Sequence, residues 1–261
     1  MPMLKVAILY ICTGKYNHFF NGFYESSEKY FLKNAAILEY FVFTDDMNLT
    51  RSSNVHLFYR PCKGFPLDSL FRFDMFLSIK DKLLSFDYIF FFNANMLFVS
   101  PVGTDFLPKE EGLMAVLHPG YYTKKPYLYP YERNKESKAY IPSNLCKYRY
   151  YMGSLNGGKS GDFLKLAEVC SKNTHDDFDR GIIAIFHDES HLNKYLCTHE
   201  CLGASPAYAY PEGEKLPFEP KILIRDKVKF DSYFNKGRDN SLKGRILKGI
   251  RIVIRIVQWY L

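Results

Sequence analysis

Short apolar runs alternate with amphipathic stretches along the first hundred residues of this chain. An apolar run bounded by polar residues indicates a buried strand, whereas apolar positions three and four residues apart indicate a helix. The pattern predicts strands at 6–12, 39–44, 55–59 and 88–92, and helices at 17–31 and 67–85. Strands that alternate with helices predict an α/β fold with a mainly parallel, doubly wound sheet and helices on both faces.

The second half of the chain contains more loops and more tyrosine. A strand is predicted directly before His118, and another over 150–158 that closes in a turn at Gly157-Gly158. Helices are predicted over 161–173 and from His187 onward. In a doubly wound sheet ligands bind beyond the carboxyl ends of the strands, so functional residues are expected at that edge.

One of these strand ends resembles a metal site without its charges. The strand 88–92 is followed by Asn93-Ala94-Asn95, two short polar side chains separated by one residue. Aspartates at both positions would ligate a divalent cation. Amide oxygens can ligate a hard cation, but they bring no charge to offset the loss of its water. The sequence therefore predicts no metal here; the simpler interpretation is an asparagine-rich turn.

Composition limits the class of protein. The 261 residues fit one large α/β domain or two small ones, and they include 23 Phe and 21 Tyr. Clustered tyrosines line ligand sites, although many of these rings must simply fill the core. The six cysteines fit no common zinc spacing. The first apolar run is too short for a membrane span and lacks the basic segment that begins a signal peptide. We interpret the cysteines as reduced thiols of a cytosolic protein.

The basic charge is concentrated in a C-terminal tail, 241–261, which follows a domain over 1–240. The net charge is +7, but the tail holds five basic and no acidic residues, which leaves +2 for the rest. This balance excludes nucleic acid as a partner of the main body. Helical spacing gathers three cations on one face of the tail and five aliphatic side chains on the other: Lys248, Arg251 and Arg255 against Ile246, Ile250, Val253, Ile254 and Val257.

Such a tail is typical of a helix that lies in the interface of an anionic membrane. It is too short, and too charged in its middle, to span a bilayer. We therefore expect a cytoplasmic protein, peripheral on the inner membrane face. The alternative is that the apolar face of the tail docks on the domain itself.

Several short motifs in the chain can be compared with those of known families. They are Tyr131-Glu132-Arg133, Ala139-Tyr140-Ile141-Pro142, Tyr150-Tyr151-Met152-Gly153 and His187 to Tyr195, with His118 to Tyr122 and the strand Tyr40 to Asp45 beside them. Together they resemble glycosyltransferase family 6, which includes the blood-group A and B transferases, over about residues 5–227. The Asn-Ala-Asn departure is similar to the bacterial branch, whose members need no metal.

The resemblance implies a GT-A fold and a retaining transfer of galactose or N-acetylgalactosamine from a UDP-sugar. The acceptor it implies is the 3-OH of a terminal β-galactoside, fucosylated or not and plausibly lipid-linked, joined in α1,3 linkage during glycan or lipopolysaccharide synthesis. Met152 and Ser154 match the positions that distinguish the two donor sugars. The bulk of Met152 favours galactose, whereas the small Ser154 still admits an acetamido group, so both donors stay open.

The resemblance also assigns roles to single residues. Glu189 would be the catalytic carboxylate that stabilises or traps positive charge at the anomeric carbon. Without the motif, Glu189 would be a first-turn helix residue favoured by the helix dipole. The expected donor-sugar contacts are Met152, Gly153, Ser154 and Asp188, and the expected acceptor contacts are His118, Tyr121 and Tyr122. His187 and His191 would be structural or sugar-facing, although their spacing also suits a metal pair.

The donor nucleotide is expected at the first loop and at the strand ends. The positions that match the family are Ile11, Thr13, Tyr16 and Arg72. Asn93 and Asn95 replace its aspartates at the strand end, and the basic candidates on the segment after Pro220 are Arg225 and Lys227. Tyr16 would stack on the uracil, and Arg225 and Lys227 would meet the charge of the leaving diphosphate in place of a metal.

Two other functions fit part of the sequence. A hydrolase of UDP-sugars would share all donor contacts and would act without an acceptor. A non-catalytic carbohydrate-binding protein would need no carboxylate beneath the anomeric carbon, so Glu189 within His-Asp-Glu-Ser argues against it.

Overall fold

A computed structural model of the protein describes residues 3–145, 147–235 and 241–260. For residues 242–246 and 248 it describes the backbone only. The strands are β1 (Leu4–Cys12), β2 (Ala36–Thr44), β3 (Val55–Tyr59), β4 (Tyr88–Asn93), β5 (Met96–Phe98), β6 (Leu113–Leu117), β7 (Tyr151–Lys159), β8 (Leu202–Ala204), β9 (Tyr210–Pro211) and β10 (Ile222–Ile224).

The α-helices are α1 (Phe20–Tyr30), α2 (Leu67–Leu70), α3 (Arg72–Leu77), α4 (Lys80–Leu83), α5 (Ser160–Phe178), α6 (His187–Leu196) and α7 (Leu242–Tyr260). Short 3₁₀ helices occupy Gly14–Phe19, Thr104–Phe106, Pro126–Leu128, Pro206–Ala209, Lys227–Lys229 and Ser232–Asn235. Within the described chain, each helix is too short or too polar to cross a bilayer.

Seven strands form the central sheet, in the order β3-β2-β1-β4-β7-β6-β8. β1 runs parallel to β2 and β4, β2 runs parallel to β3, and β6 runs parallel to β8. β7 is antiparallel to both of its neighbours, β4 and β6. The predicted mainly parallel α/β sheet is confirmed, and it is the sheet expected of a GT-A fold. A second sheet pairs β10 with β5 and β9.

Alternate residues of the central strands point to opposite faces of the sheet and form an apolar layer on each face. Tyr10 belongs to the layer that packs under α1, where its ring stacks on Phe23 at 4.5 Å. Leu9 and Phe91 belong to the opposite layer, together with Phe163 of α5. Because β1 is buried on both faces, it needs a nearly continuous apolar sequence. This explains why the first apolar run was easy to recognise as a strand.

The helix predicted over 67–85 is wrong in one respect, because the chain forms three short helices there. The backbone leaves helical geometry at Phe71 (φ −101°, ψ 29°) and at Ile79 (φ −122°, ψ 20°). Ser78 also donates its hydroxyl to the carbonyl of Met75 at 2.6 Å, in competition with a helical hydrogen bond. The break at Phe71 makes Arg72 the first residue of α3.

The predicted Gly157-Gly158 turn is also wrong, because both glycines lie inside β7. They pair with Phe90 and Ile89 of β4. A Cβ atom at Gly157 would lie 2.2 Å from Phe90 Cδ1 and 2.4 Å from the carbonyl of Ile89, and one at Gly158 would lie 2.3 Å from the carbonyl of Gly112. The glycines are there because neighbouring strands approach too closely for a side chain.

Candidate active site

The site is built where α6 crosses β7. Asn193, buried in the last half of α6, accepts from the backbone N–H of Tyr151 at 2.9 Å and donates to the carbonyl of Tyr151 at 2.9 Å. The amide thus pairs with β7 as another strand would. Glu189 lies one helical turn earlier, so it shares that face and is held opposite Gly153.

Glu189 is held by two donors from the same strand region. Its Oε2 accepts from the backbone N–H of Gly153 at 2.7 Å, and its Oε1 accepts from the hydroxyl of Tyr150. Burial raises the pKa of Glu189 to about 7, although both hydrogen bonds favour the charged form and oppose the shift. A buried carboxyl group with a pKa near neutral pH is a candidate for chemistry.

Asp188 and Arg72 form an ion pair beside this carboxylate. Arg72 Nη1 donates to Asp188 Oδ2 at 2.6 Å and to the carbonyl of Gly153 at 3.0 Å, and both side chains are buried. The guanidinium lies 4.4 Å from the centre of the Phe91 ring. Burial raises the pKa of Asp188, and the charge of Arg72 opposes that rise. Arg72 therefore joins the residues predicted to bind the donor sugar, whereas the sequence had placed it with the nucleotide.

Gly153 is the point on which these side chains converge. A Cβ atom there would lie 3.0 Å from Glu189 Cβ, closer than ordinary packing allows. Among the described residues, Ser154 Oγ and Asn156 Oδ1 are buried and have no hydrogen-bond partner, while Asn156 Nδ2 donates to the carbonyl of Gly153 at 3.1 Å. Met152 is half-buried beside the core. Unpaired polar atoms next to a buried carboxylate suit a polyhydroxylated ligand.

The two asparagines of the Asn-Ala-Asn strand end bind each other. Asn93 Nδ2 donates to Asn95 Oδ1 at 3.0 Å, and Asn95 Nδ2 donates to the carbonyl of Arg225 at 2.7 Å. The backbone N–H of Arg225 returns a bond to the carbonyl of Asn95 at 2.9 Å. These contacts use the amide hydrogens that a carboxylate lacks. This neutral, mutually bonded pair does not fit the divalent cation that a GT-A fold commonly holds.

The predicted nucleotide residues meet at the first loop. Thr13 is buried, Ile11 is half-buried, and Ile11 is the register partner of Asn93. Lys227 Nζ donates to the hydroxyl of Tyr16 at 2.9 Å, and the Tyr16 ring packs edge-on against another aromatic ring, that of Phe234, at 4.9 Å. The loop and the segment after β10 thus form one surface at the carboxyl edge of the sheet.

Arg225 lies on the same surface. Its guanidinium stacks between the rings of Phe19, at 4.7 Å, and Phe230, at 5.0 Å, and Nη2 donates to the carbonyl of Phe19 at 3.2 Å. Burial lowers the pKa of Arg225, and within the described chain its Nε has no partner. The side chain thus retains an unused donor.

The predicted acceptor residues divide into two groups. His118 and Tyr121 pack against Tyr150 with ring centres 5.7 and 5.2 Å away, so they lie beside the donor to Glu189. Tyr122 packs instead against Phe218, at 5.5 Å. His118 Nδ1 accepts from the backbone N–H of Gly120 at 3.0 Å, and burial lowers the pKa of His118 to about 4, so its ring is neutral at physiological pH.

Comparison with known sequences decides the family. The sequence model of glycosyltransferase family 6 matches residues 3–229. The chain belongs to glycosyltransferase family 6. Over 235 residues it is 39% identical to the O-antigen biosynthesis glycosyltransferase WbnI of Escherichia coli, covering 89% of this chain and 99% of that protein. As predicted, it is a glycosyltransferase, and its family implies a nucleotide-sugar donor and a glycan acceptor.

Two animal relatives are more distant. Over 233 residues the chain is 31% identical to the histo-blood group ABO system transferase 1 of Rattus norvegicus, with 84% of this chain and 64% of the relative covered. Over 239 residues it is 27% identical to the globoside alpha-1,3-N-acetylgalactosaminyltransferase 1 of Gallus gallus, with 86% and 66% covered. The chain spans just under two thirds of the length of these animal proteins.

Two buried carboxylates, one in the motif Tyr131-Glu132-Arg133 and one outside the motifs, prove to be structural supports that the sequence had not suggested. The Glu132 carboxylate accepts from the backbone N–H of Ile185 at 2.7 Å and from that of Asn134 at 2.8 Å, which fixes the approach to α6. Asp177, buried at the end of α5, accepts from the Ser137 hydroxyl at 2.6 Å and the backbone N–H of Lys138 at 2.8 Å. Both residues stand among other charged residues, at 132–136 and 175–180, so nothing in the local sequence singled them out.

The two histidines of α6 have separate surroundings. His187 begins the helix at a positive φ of 50° and packs its ring edge-on against Phe65 at 4.8 Å. His191 is buried with Nε2 3.8 Å from Asp177 Oδ2, and burial lowers its pKa to about 4. Across the described residues, no cluster of three or more His, Cys, Asp or Glu is placed to hold a metal ion. His187 thus packs at the start of α6, whereas His191 lies inside the core beside Asp177.

Proposed function

We propose that this family 6 enzyme is a retaining hexosyltransferase. It moves galactose or N-acetylgalactosamine from UDP to the 3-OH of a terminal β-galactoside, fucosylated or not, in α1,3 linkage during glycan or lipopolysaccharide synthesis. The observation that carries the proposal is the carboxylate of the half-buried Glu189, held by Tyr150 and Gly153 beside the Asp188–Arg72 pair. Two relatives, an O-antigen glycosyltransferase and an α1,3-N-acetylgalactosaminyltransferase, support the same reaction class.

The chemistry follows from the charge that develops in the sugar. The bond from the anomeric carbon to the diphosphate oxygen breaks, the bond from the acceptor 3-oxygen forms, and the acceptor proton leaves with the diphosphate. The anomeric carbon becomes positive on the way. The Glu189 carboxylate, fixed before substrate arrives, offsets that charge without reorganisation. Asp188 and Arg72 orient the donor hydroxyls, and the unpaired Ser154 Oγ supplies a further polar contact.

In this mechanism the negative charge of the leaving diphosphate is stabilised without a metal. Two neutral asparagines stand at the strand end where carboxylates would be required. Arg225 keeps an unused Nε donor, and Lys227 contacts the Tyr16 hydroxyl. Each charge-assisted hydrogen bond from such cations to the diphosphate contributes roughly 1.5–3 kcal/mol.

The test is an acceptor screen with UDP-galactose and UDP-N-acetylgalactosamine, each with and without EDTA. We expect transfer to β-galactosides with equal rates in EDTA. Loss of activity in EDTA and recovery with Mn²⁺ would overturn the metal-independent mechanism. Release of free sugar at a rate that no acceptor increases would show a UDP-sugar hydrolase instead.

We also propose that the enzyme works as a peripheral protein on the inner membrane face, where lipid-linked acceptors are presented. The surface that supports this location is the C-terminal helix.

A further inference from the structure

The C-terminal helix α7 is fixed to the body at its last turn. Trp259 is 8% exposed, with its ring 4.9 Å from that of Tyr148 and 4.4 Å from the Arg133 guanidinium. It completes an aromatic cluster with Tyr131 and with Tyr150, the residue that donates to Glu189. The alternative of docking on the domain is therefore correct for this end of the helix.

The rest of the helix presents a second apolar face that the described body leaves uncovered. The side chains of this face are 43–60% exposed and lie at helical spacing. We call them the α7 stripe; they are Leu247, Ile250, Val253, Ile254 and Val257. The docked side is formed by Ile252, Arg255, Ile256 and Trp259, which are half-buried or buried. Arg255 thus faces the body, not the solvent-exposed polar face predicted for it. The predicted positions Ile246 and Lys248 lie outside the described side chains.

Exposed cations lie on α7 and just before the segment on which it docks. Arg251 is exposed on the helix at the edge of the stripe, and residues 241–261 contain five basic and no acidic residues. Lys124 and Lys125 are exposed just before the 3₁₀ helix Pro126–Leu128, against which α7 packs. An apolar stripe flanked by cations is complementary to the acyl chains and phosphates of an anionic bilayer. A second copy of the chain is disfavoured, because a symmetric pair would bring identical cationic helices together.

We propose that the α7 stripe binds the surface of an anionic bilayer while Trp259 keeps the helix docked on the body. The helix then lies between the bilayer and the aromatic cluster that contains Tyr150. Membrane binding itself does not depend on the proposed transferase function. Its consequence does: a lipid-linked glycan would be presented beside the acceptor residues His118 and Tyr121.

The experiment measures flotation of the full chain with vesicles. The vesicles are phosphatidylcholine alone or mixed with phosphatidylglycerol, at low and high salt. We expect binding to the anionic vesicles, weakened by salt, and little binding to the neutral ones. The double variant Ile250→Ser/Ile254→Ser should reduce binding by about tenfold or more, since both side chains lose their membrane contact. Its fold and its turnover of soluble acceptors should be unchanged, because both positions are exposed.

A matched control replaces two equally exposed apolar residues on other elements. Ile37→Ser/Leu84→Ser should leave vesicle binding unchanged. Arg251→Gln should weaken binding to anionic vesicles and reduce its dependence on salt. Equal flotation of the stripe variant and the control variant would overturn the proposal. A dimer that the stripe variant dissociates would assign the stripe to a second copy instead. Failure of transferase activity with intact flotation would affect only the proposed function.

Discussion

At the scale of single residues, the site depends on how a buried carboxyl group is kept ionisable. Burial alone would hold Glu189 protonated, whereas the Tyr150 hydroxyl and the Gly153 N–H stabilise its charged form. The balance leaves a pKa of about 7. Tyr150 is therefore a positioning residue that also sets the ionisation of the candidate catalytic carboxylate.

The first prediction is a pH profile. In the proposed mechanism the ionised Glu189 is the active form, so kcat/KM should rise with pH through about 7. Tyr150→Phe removes a donor to the charged form, so the pKa of Glu189 should rise and the acid limb should move to higher pH. Tyr129→Phe changes a ring in the same cluster and leaves both donors in place, so its profile should match the wild type. An acid limb that does not move in Tyr150→Phe would contradict this role.

The second prediction concerns Glu189→Gln. The amide keeps the shape of the side chain but cannot offset positive charge, so turnover should fall by more than about tenfold, or roughly 1.4 kcal/mol, with donor binding nearly intact. Single-turnover kinetics and donor titration would measure this. A smaller loss would assign Glu189 another role.

The same variant reports on stability. The folded pKa of Glu189 lies above its ordinary value of 4.5, so the native state binds more protons than the unfolded state between about pH 4.5 and 7. The wild type should therefore lose stability as pH rises through this window, whereas Glu189→Gln should lose less. Urea unfolding at pH 5 and pH 8 should show the variant gaining relative stability at the higher pH; an unchanged difference would contradict the raised pKa.

At the scale of elements, α6 and the longer strands β1 to β4, β6 and β7 could be predicted because their apolar and polar patterns arise from local burial. The short strands β5, β8, β9 and β10 were not predicted. The break at Phe71 could not, since it depends on Arg72 reaching Asp188 and Gly153, which are distant in sequence. The role of Gly157 inside β7 also depends on contact with β4. Tyr150 was quoted within a family motif, but its bond to Glu189 becomes visible only when β7 and α6 are packed together.

The attachment of α6 to β7 gives the third prediction. Asn193→Ala removes both bonds to Tyr151 and leaves buried backbone groups unpaired, so the free energy of unfolding should fall by about 2–4 kcal/mol. Turnover should fall as well, because Glu189 is then less firmly held. Lys194→Ala, at the next position of the same helix, is the control and should change the unfolding free energy little. Equal unfolding curves for the two variants would show that Asn193 does not fasten the helix.

At the scale of the whole molecule, the sequence correctly indicated an amphipathic C-terminal helix. It did not indicate which face of that helix contacts the body and which face stays exposed. The described tail is docked through Trp259 and uncovered along the α7 stripe, so its contact with the body involves a different face of the helix from the apolar face that the sequence predicted. This division could not be predicted, because it depends on where the tail meets Tyr148 and Arg133. It also means that deleting the tail would uncover the cluster that contains Tyr150.

Trp259 gives the last prediction, because it is the only tryptophan in the chain and its fluorescence reports docking directly. In the free protein its ring is buried against Tyr148 and Arg133, so its emission should be blue-shifted and poorly quenched by acrylamide. If the α7 stripe binds the bilayer while Trp259 stays docked, anionic vesicles should leave this emission unchanged, and brominated lipids should quench it little. Tyr148→Ala removes one wall of the docking site and should shift the emission to the red in solution. Strong quenching of the wild type by brominated lipids would show that the helix leaves the body and inserts its tryptophan, so that binding would no longer place the bilayer beside a preserved aromatic cluster.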